Sequence, residues 1–262
     1  MTIFIYKLLL GFIGSSLIGS FSYIIHLLTK SGILAVILIG TLICGFGPWI
    51  SWVLIILFFA SSGCIHLVKK RFNQKKENSI AEKNDTRDAW QVLANSFPSL
   101  VCIILFFFTQ KDLFLIAFVS GIAGATADTW ASEIGILSKK PPRSIVTLNA
   151  LEPGLSGGVS LLGSISSFFG SFLIAGVFAL VYPFYLIIPF ICGVLGCLVD
   201  SLLGATIQVK YRCLVCGKVT EKITHHQQPT QKISGISWLT NDWVNFLTGI
   251  ITVILSISLY YV

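Results

Sequence analysis

Apolar residues run through this chain in long blocks interrupted by short polar stretches, not at the alternating period of a strand. Blocks of roughly 20 apolar residues are what a helix needs to cross a bilayer. The pattern predicts spans at 3–28, 32–46, 49–68, 92–109, 113–135, 155–181, 184–206 and 243–262. The second block is short. It is tilted, re-entrant, or fused with the third around Gly45, Gly47 and Pro48. The first block is too long for a signal peptide, its early cation is Lys7, and no small-residue cleavage site follows it. The expected fold is all-α: one integral membrane domain over 1–262, a polytopic helix bundle of seven to eight spans.

Composition agrees with this reading. The chain is 55% hydrophobic and 11% charged, against about 25% charged in an ordinary soluble domain. A soluble globular or disordered protein is therefore excluded. The net charge of +7 is not spread evenly, because 15 of the 18 cations lie in three segments. Segment 69–88 carries Lys69, Lys70, Arg71, Lys75, Lys76, Lys83 and Arg87. Segment 136–154 carries Lys139, Lys140 and Arg143, and segment 207–241 carries Lys210, Arg212, Lys218, Lys222 and Lys232. A two-span hairpin separates each segment from the next, so all three face one side. The positive-inside rule makes that side the cytoplasm of a multi-pass cell-membrane protein. Both termini then lie outside if the second block crosses. No basic face is interleaved with stacking aromatics, so a nucleic-acid partner is not expected; membrane lipid is.

Two spans repeat one pattern. Gly121-x-x-Gly124-x-x-x-Asp128-Thr129 matches Gly193-x-x-Gly196-x-x-x-Asp200-Ser201, and small residues follow at Ser132 and Gly204. These offsets fall on one face of a helix. Glycine pairs let membrane helices approach closely, but they do not account for the acids. A carboxylate within a span costs at least ~2.5–3.5 kcal/mol on insertion scales and marks function by default. Asp128 and Asp200 are thus the leading candidates, about two turns from the ends of their spans. Glu133 lies about 140° round the helix from Asp128. It either pairs with a loop cation or reaches the same site from its rim.

The polar segments add further candidates. Ser156, Gly157 and Gly158, expected at the start of span six, form a turn whose N–H groups suit a phosphate, with Lys139 and Arg143 upstream. A capped membrane helix with interfacial cations is the plainer alternative. Arg87, Gln91 and Asn95 are spaced by four and predict a polar stripe entering span four, facing the bundle interior. Asp242 and Asn245 open span eight, where Asp242 also favours a helix N-terminus electrostatically. Cys213-x-x-Cys216-Gly followed by His225-His226 reads either as a small zinc knuckle over 213–226 or as a free thiol pair.

The blocks Asp128-Thr-Trp-Ala-Ser-Glu-Ile-Gly135, Gly154-Leu-Ser-Gly-Gly-Val-Ser160, Asp200-Ser-Leu-Leu-Gly-Ala-Thr-Ile-Gln208, Gln91-Val-Leu-Ala-Asn95 and Asn241-Asp-Trp-Val-Asn245 resemble the signatures of one integral membrane family. That family includes animal transmembrane protein 19 and the plant phytyl-phosphate kinase of tocopherol synthesis. The resemblance implies a kinase that converts an isoprenyl monophosphate (phytyl-, farnesyl- or geranylgeranyl-phosphate-like) into the diphosphate. The donor would be a nucleoside triphosphate (CTP, UTP, GTP or ATP) with Mg²⁺. Phosphoryl transfer needs metal ions, cations and N–H donors around the transferred group. Asp128 and Asp200 suit Mg²⁺, which binds one or two carboxylates plus phosphate. Catalytic roles then fall to Asp128, Asp200, Glu133 and Arg143. Nucleotide or phosphate contacts fall to Lys139, Ser156, Gly157, Gly158, Thr129, Ser132, Ser201, Gln208, Arg87, Asn95, Asp242 and Asn245. A secondary transporter is the rival reading, since glycine-rich repeated spans with acids also occur there.

Overall fold

The computed structural model describes residues 2–72 and 86–261; Lys75, Lys76 and Lys83 lie outside the described residues. Eight α-helices account for most of it: α1 (Thr2–Ile24), α2 (Lys30–Phe46), α3 (Trp49–Phe72), α4 (Ala89–Thr109), α5 (Asp112–Gly135), α6 (Leu161–Ala179), α7 (Ile187–Thr206) and α8 (Asn241–Leu259). Among the described residues, seven are long and apolar enough to cross a membrane, and α2, at 17 residues, falls just short of that length. The polytopic helix bundle expected from hydropathy is present.

The second apolar block is neither re-entrant nor fused with the third. The backbone of Arg87 exchanges hydrogen bonds with Leu27 and Thr29 at the α1–α2 connection. At the opposite end Lys7 Nζ donates to Gly47 O, just past α2, at 2.5 Å. So α2 runs antiparallel to α1 from one face to the other. The stripe Gly11, Ser15 and Gly19 of α1 is buried on α2. A Cβ on Gly11 would meet Cys44 Cβ at 2.6 Å, so only a small residue allows that approach. The rest of α1 is largely exposed apolar surface suited to lipid.

α5 is the central helix, touching α3, α4, α6, α7 and α8. From Leu113 to Ala127 its residues are small or apolar and buried on nearly every side, and a stretch without a polar face belongs in the interior. Phe118 and Ile122 of α5 pack with Ile43 of α2, Leu54 and Phe58 of α3, Ile103 of α4, and Ile174 and Phe178 of α6 in one core.

Span six differs from expectation. Residues 155–160 are not helical: they make turns and β2 (Gly158–Val159), which pairs with β1 (Arg143–Ser144). The helix starts at Leu161 because Ser160 caps it, its side chain accepting from Gly163 N at 3.1 Å. The third polar segment also carries structure that an all-α reading leaves out. Strands β3 (Lys210–Cys213), β4 (Val219–Thr220), β5 (Thr224–His225) and β6 (Gln228–Ser234) form a sheet in the order β4-β3-β6-β5.

Lys30, at the α1–α2 connection, shares the face of Lys69, Arg87, the 136–154 segment and the sheet, whereas Lys7 and Lys111 sit at the other end. Single cysteines at positions 30, 140 and 218, in a chain with Cys64 and Cys216 replaced, should share one accessibility to a membrane-impermeant reagent in sealed cells. Position 111 should show the opposite. Mixed labelling among the first three would contradict the arrangement.

Candidate functional site

Helices α5 and α7 run in the same direction and both end on the loop-bearing face. Their repeats meet. A Cβ on Gly196 would lie 3.5 Å from Gly124 Cα and 2.6 Å from Thr252 Oγ1 of α8, and one on Gly193 would lie 2.9 Å from Ala123 Cβ. Hydrogen at these positions lets the backbones close up, and the acids follow one turn later in both helices.

Asp128 and Asp200 line one cleft with Asn95 of α4 and with Asn245, Thr248 and Thr252 of α8. Its cavity volume is about 10 Å³, room for about one water molecule or a bare ion. Asp200 is buried, and Thr248 Oγ1 donates to its Oδ2 at 3.2 Å. Asn95 Nδ2 donates to Gln91 O at 2.8 Å, which leaves its amide oxygen free of that bond. The side-chain donors of the lining are carboxylate, hydroxyl and amide, a hard set that suits Mg²⁺.

Spans four and eight therefore contribute as much as the two repeats. Thr248 and Thr252 were not among the sequence candidates. Their signal was present: Asn245, Thr248 and Thr252 recur at offsets of three and four, one polar face on an otherwise apolar helix.

Other candidates stand elsewhere. Arg87 is not on the α4 stripe, because Asp88 is the N-cap of a capping box with Gln91 and Arg87 precedes it. Its guanidinium lies 5.8 Å from the Phe58 ring, in a second pocket with Ser62 and His66 of α3. Glu133 does not reach the Asp128 cleft. It pairs with Lys69 at 2.5 Å and lies 3.6 Å from His66 Nδ1. Thr129 and Ser201 are half-buried outside the cleft lining, and exposed Ser132 bonds back to Asp128 O. Lys139 and Arg143 are exposed, with Arg143 Nη1 donating to Leu148 O at 3.4 Å.

The Ser156–Gly158 turn does not open α6. It is pressed on the end of α7, where a Cβ on Gly157 would meet Ala205 Cα at 2.5 Å. Ser156 N donates to Glu221 Oε1 at 2.8 Å, and Lys210 Nζ donates to Ser156 O at 3.1 Å. Burial lowers the Lys210 pKa, and the nearby Glu221 carboxylate raises it in part. Gln208 is buried beside Gly204, next to this turn, and among the described residues neither of its side-chain amide atoms has a hydrogen-bond partner. Asp242 is in the first turn of α8. Cys213, Cys216, His225 and His226 converge in the sheet.

Fold and site together define a multi-pass membrane protein with a paired-carboxylate cleft near one membrane face. The chain belongs to the family described as integral membrane protein DUF92, whose family model matches residues 13–253. It is 33% identical to Protein PGR of Arabidopsis thaliana over 98% of both chains. It is 30% identical to the uncharacterized membrane protein MJ0933 of Methanocaldococcus jannaschii, over 70% of this chain and 76% of that one. It is 26% identical to Protein VTE6, chloroplastic, of Arabidopsis thaliana, over 84% of this chain and 61% of that one. No solved structure matches.

The Glu133–Lys69 pair is mostly shielded, with 21% and 16% of the side chains exposed. Lys69→Met should lower stability, and adding Glu133→Gln should recover part of the loss, with a coupling of about 0.5–3 kcal/mol. Unfolding of the four proteins in detergent measures it; additive losses would show the pair to be uncoupled.

Proposed function

We propose that this protein is a membrane kinase that phosphorylates an isoprenyl monophosphate to the diphosphate, using a nucleoside triphosphate with Mg²⁺, at the cytoplasmic face. The observation that carries this reading is the convergence of Asp128 and Asp200 in one oxygen-lined cleft near the loop-bearing face. The family resemblance supplies the substrate class.

Asp128 and Asp200 would hold Mg²⁺, with Asn95, Asn245 and Thr248 around it. The ion supplies charge neutralisation on the phosphates when bound. A non-bridging oxygen of the acceptor monophosphate forms the new bond to the γ-phosphorus, and the bond from that phosphorus to the β,γ-bridging oxygen breaks. A nucleoside diphosphate leaves. The acceptor is already an anion, so no base is required to remove a proton. Thr248 orients the Asp200 carboxylate by its hydrogen bond. The head group would sit at the mouth of the cleft, the isoprenyl tail would extend among the helices, and the nucleotide base would remain over the loops, where Lys139 and Arg143 are exposed.

The placement of the acids weighs against a transporter. The acids stand less than two turns from one end of unbroken helices. Transporter sites form near the midplane, commonly on broken helices.

Purified protein supplied with farnesyl, geranylgeranyl or phytyl monophosphate, Mg²⁺ and each nucleoside triphosphate should release the isoprenyl diphosphate. Asp128→Asn and Asp200→Asn should each lower turnover by at least about a hundredfold while the protein stays extractable and folded; one lost charge-assisted contact at about 2.7–4 kcal/mol accounts for that size. No diphosphate with any pairing, or near-normal turnover in either variant, would contradict the reading.

A further inference from the structure

The small sheet on the loop-bearing face has little to hold it together. All seven residues of β6 are exposed or half-buried, and β4 and β5 have two residues each. A sheet this size with almost no apolar interior is below what hydrophobic burial alone maintains, and such units are commonly stapled by a metal or disulfides. Cys213 and Cys216 are both free thiols.

The two hairpin turns of the sheet bring four ligand-type side chains to one point. In the first, Cys213 ends β3, and Cys216 and Gly217 follow. Gly217 has φ of +71°, a conformation that costs glycine nothing, and its N–H donates to Cys213 O at 3.0 Å. In the second, His225 pairs with Gln228, and His226 and Gln227 between them have φ of +53° and +60°. Two consecutive residues with positive φ are the signature of a tight type I′ hairpin, which here directs both histidines toward the first turn.

The ligand atoms of Cys213, Cys216, His225 and His226 all lie within 4.8 Å of one another. Cys216 Sγ is 3.6 Å from His225 Nδ1. In a tetrahedral centre with Zn–S of about 2.3 Å and Zn–N of about 2.0–2.1 Å, sulfur and nitrogen ligands stand about 3.5 Å apart. A hydrogen bond alone would not draw two thiols and two imidazoles together.

We propose that these four residues bind one structural Zn²⁺ that staples the β3–β4 turn to the β5–β6 turn. Two thiolates and two imidazoles fill a tetrahedral Zn²⁺ and leave no open position, so the site is structural. Its consequence reaches the turn on α7. Lys210 on β3 and Glu221 just after β4 are the residues that grip Ser156. The zinc therefore keeps the sheet in register with the Ser156–Gly158 turn. This is independent of the kinase reading.

Protein purified from zinc-supplemented cells should carry one zinc per chain by elemental analysis, and Cys213→Ser with Cys216→Ser should carry none. Those variants can fail to fold, so the intact chain provides the second measurement. After chelator treatment, Co²⁺ should bind one-to-one and give the intense visible absorption of a tetrahedral thiolate site, and Zn²⁺ should displace it. A full zinc complement in the double variant, or octahedral or absent Co²⁺ absorption in the intact chain, would overturn the proposal.

Discussion

The close approach of α5 and α7 is the contact on which the site depends. Gly124 and Gly196 face each other, with Thr252 of α8 over the seam and Ala123 beneath Gly193. In a bilayer such contacts are held by packing, because lipid tails are as apolar as leucine and supply no hydrophobic drive between helices. One turn beyond, the same geometry forces two carboxylates into one cleft. Their insertion cost of several kcal/mol is a cost the fold accepts because α4 and α8 bring polar groups to meet them.

The loop-bearing face is tied to this seam. Gly157 rests on Ala205 at the end of α7, and Gly204 leaves room for Ser156 and the buried amide of Gln208. Glu221 and Lys210 grip Ser156 from the sheet. A second polar group, Glu133 with Lys69 and His66, ties α5 to α3. The helices that carry the acids are thus braced from the sheet and from α3, and shifting either brace alters where α5 and α7 end.

Hydropathy made the bundle legible because lipid imposes a long apolar run on every span. The matched offsets made the Asp128–Asp200 pair legible because 3.6-residue periodicity converts sequence spacing into a face. Residues 155–160 misled for a physical reason: they are apolar and small enough to read as helix, but Ser160 is the better cap and the chain before it pairs with β1. Arg87 misled because spacing by four implies a shared helix only when the helix has begun, and Asp88 starts it one residue later. The contact of Glu221 with Ser156 spans 65 residues, a distance over which no local pattern operates.

The seam itself is the most direct place to test the account, because it separates the packing from the acids it positions. Mn²⁺ binding, followed by the loss of its free-ion electron paramagnetic resonance signal and reversed by Mg²⁺, should show one site per chain in the presence of geranylgeranyl monophosphate, corrected with a protein-free control. Gly196→Leu leaves both carboxylates in place but drives a side chain into Gly124 and Thr252. The account predicts that this variant, folded by circular dichroism, binds Mn²⁺ at least about tenfold more weakly, as Asp200→Asn does. Undiminished Mn²⁺ affinity in folded Gly196→Leu would contradict it.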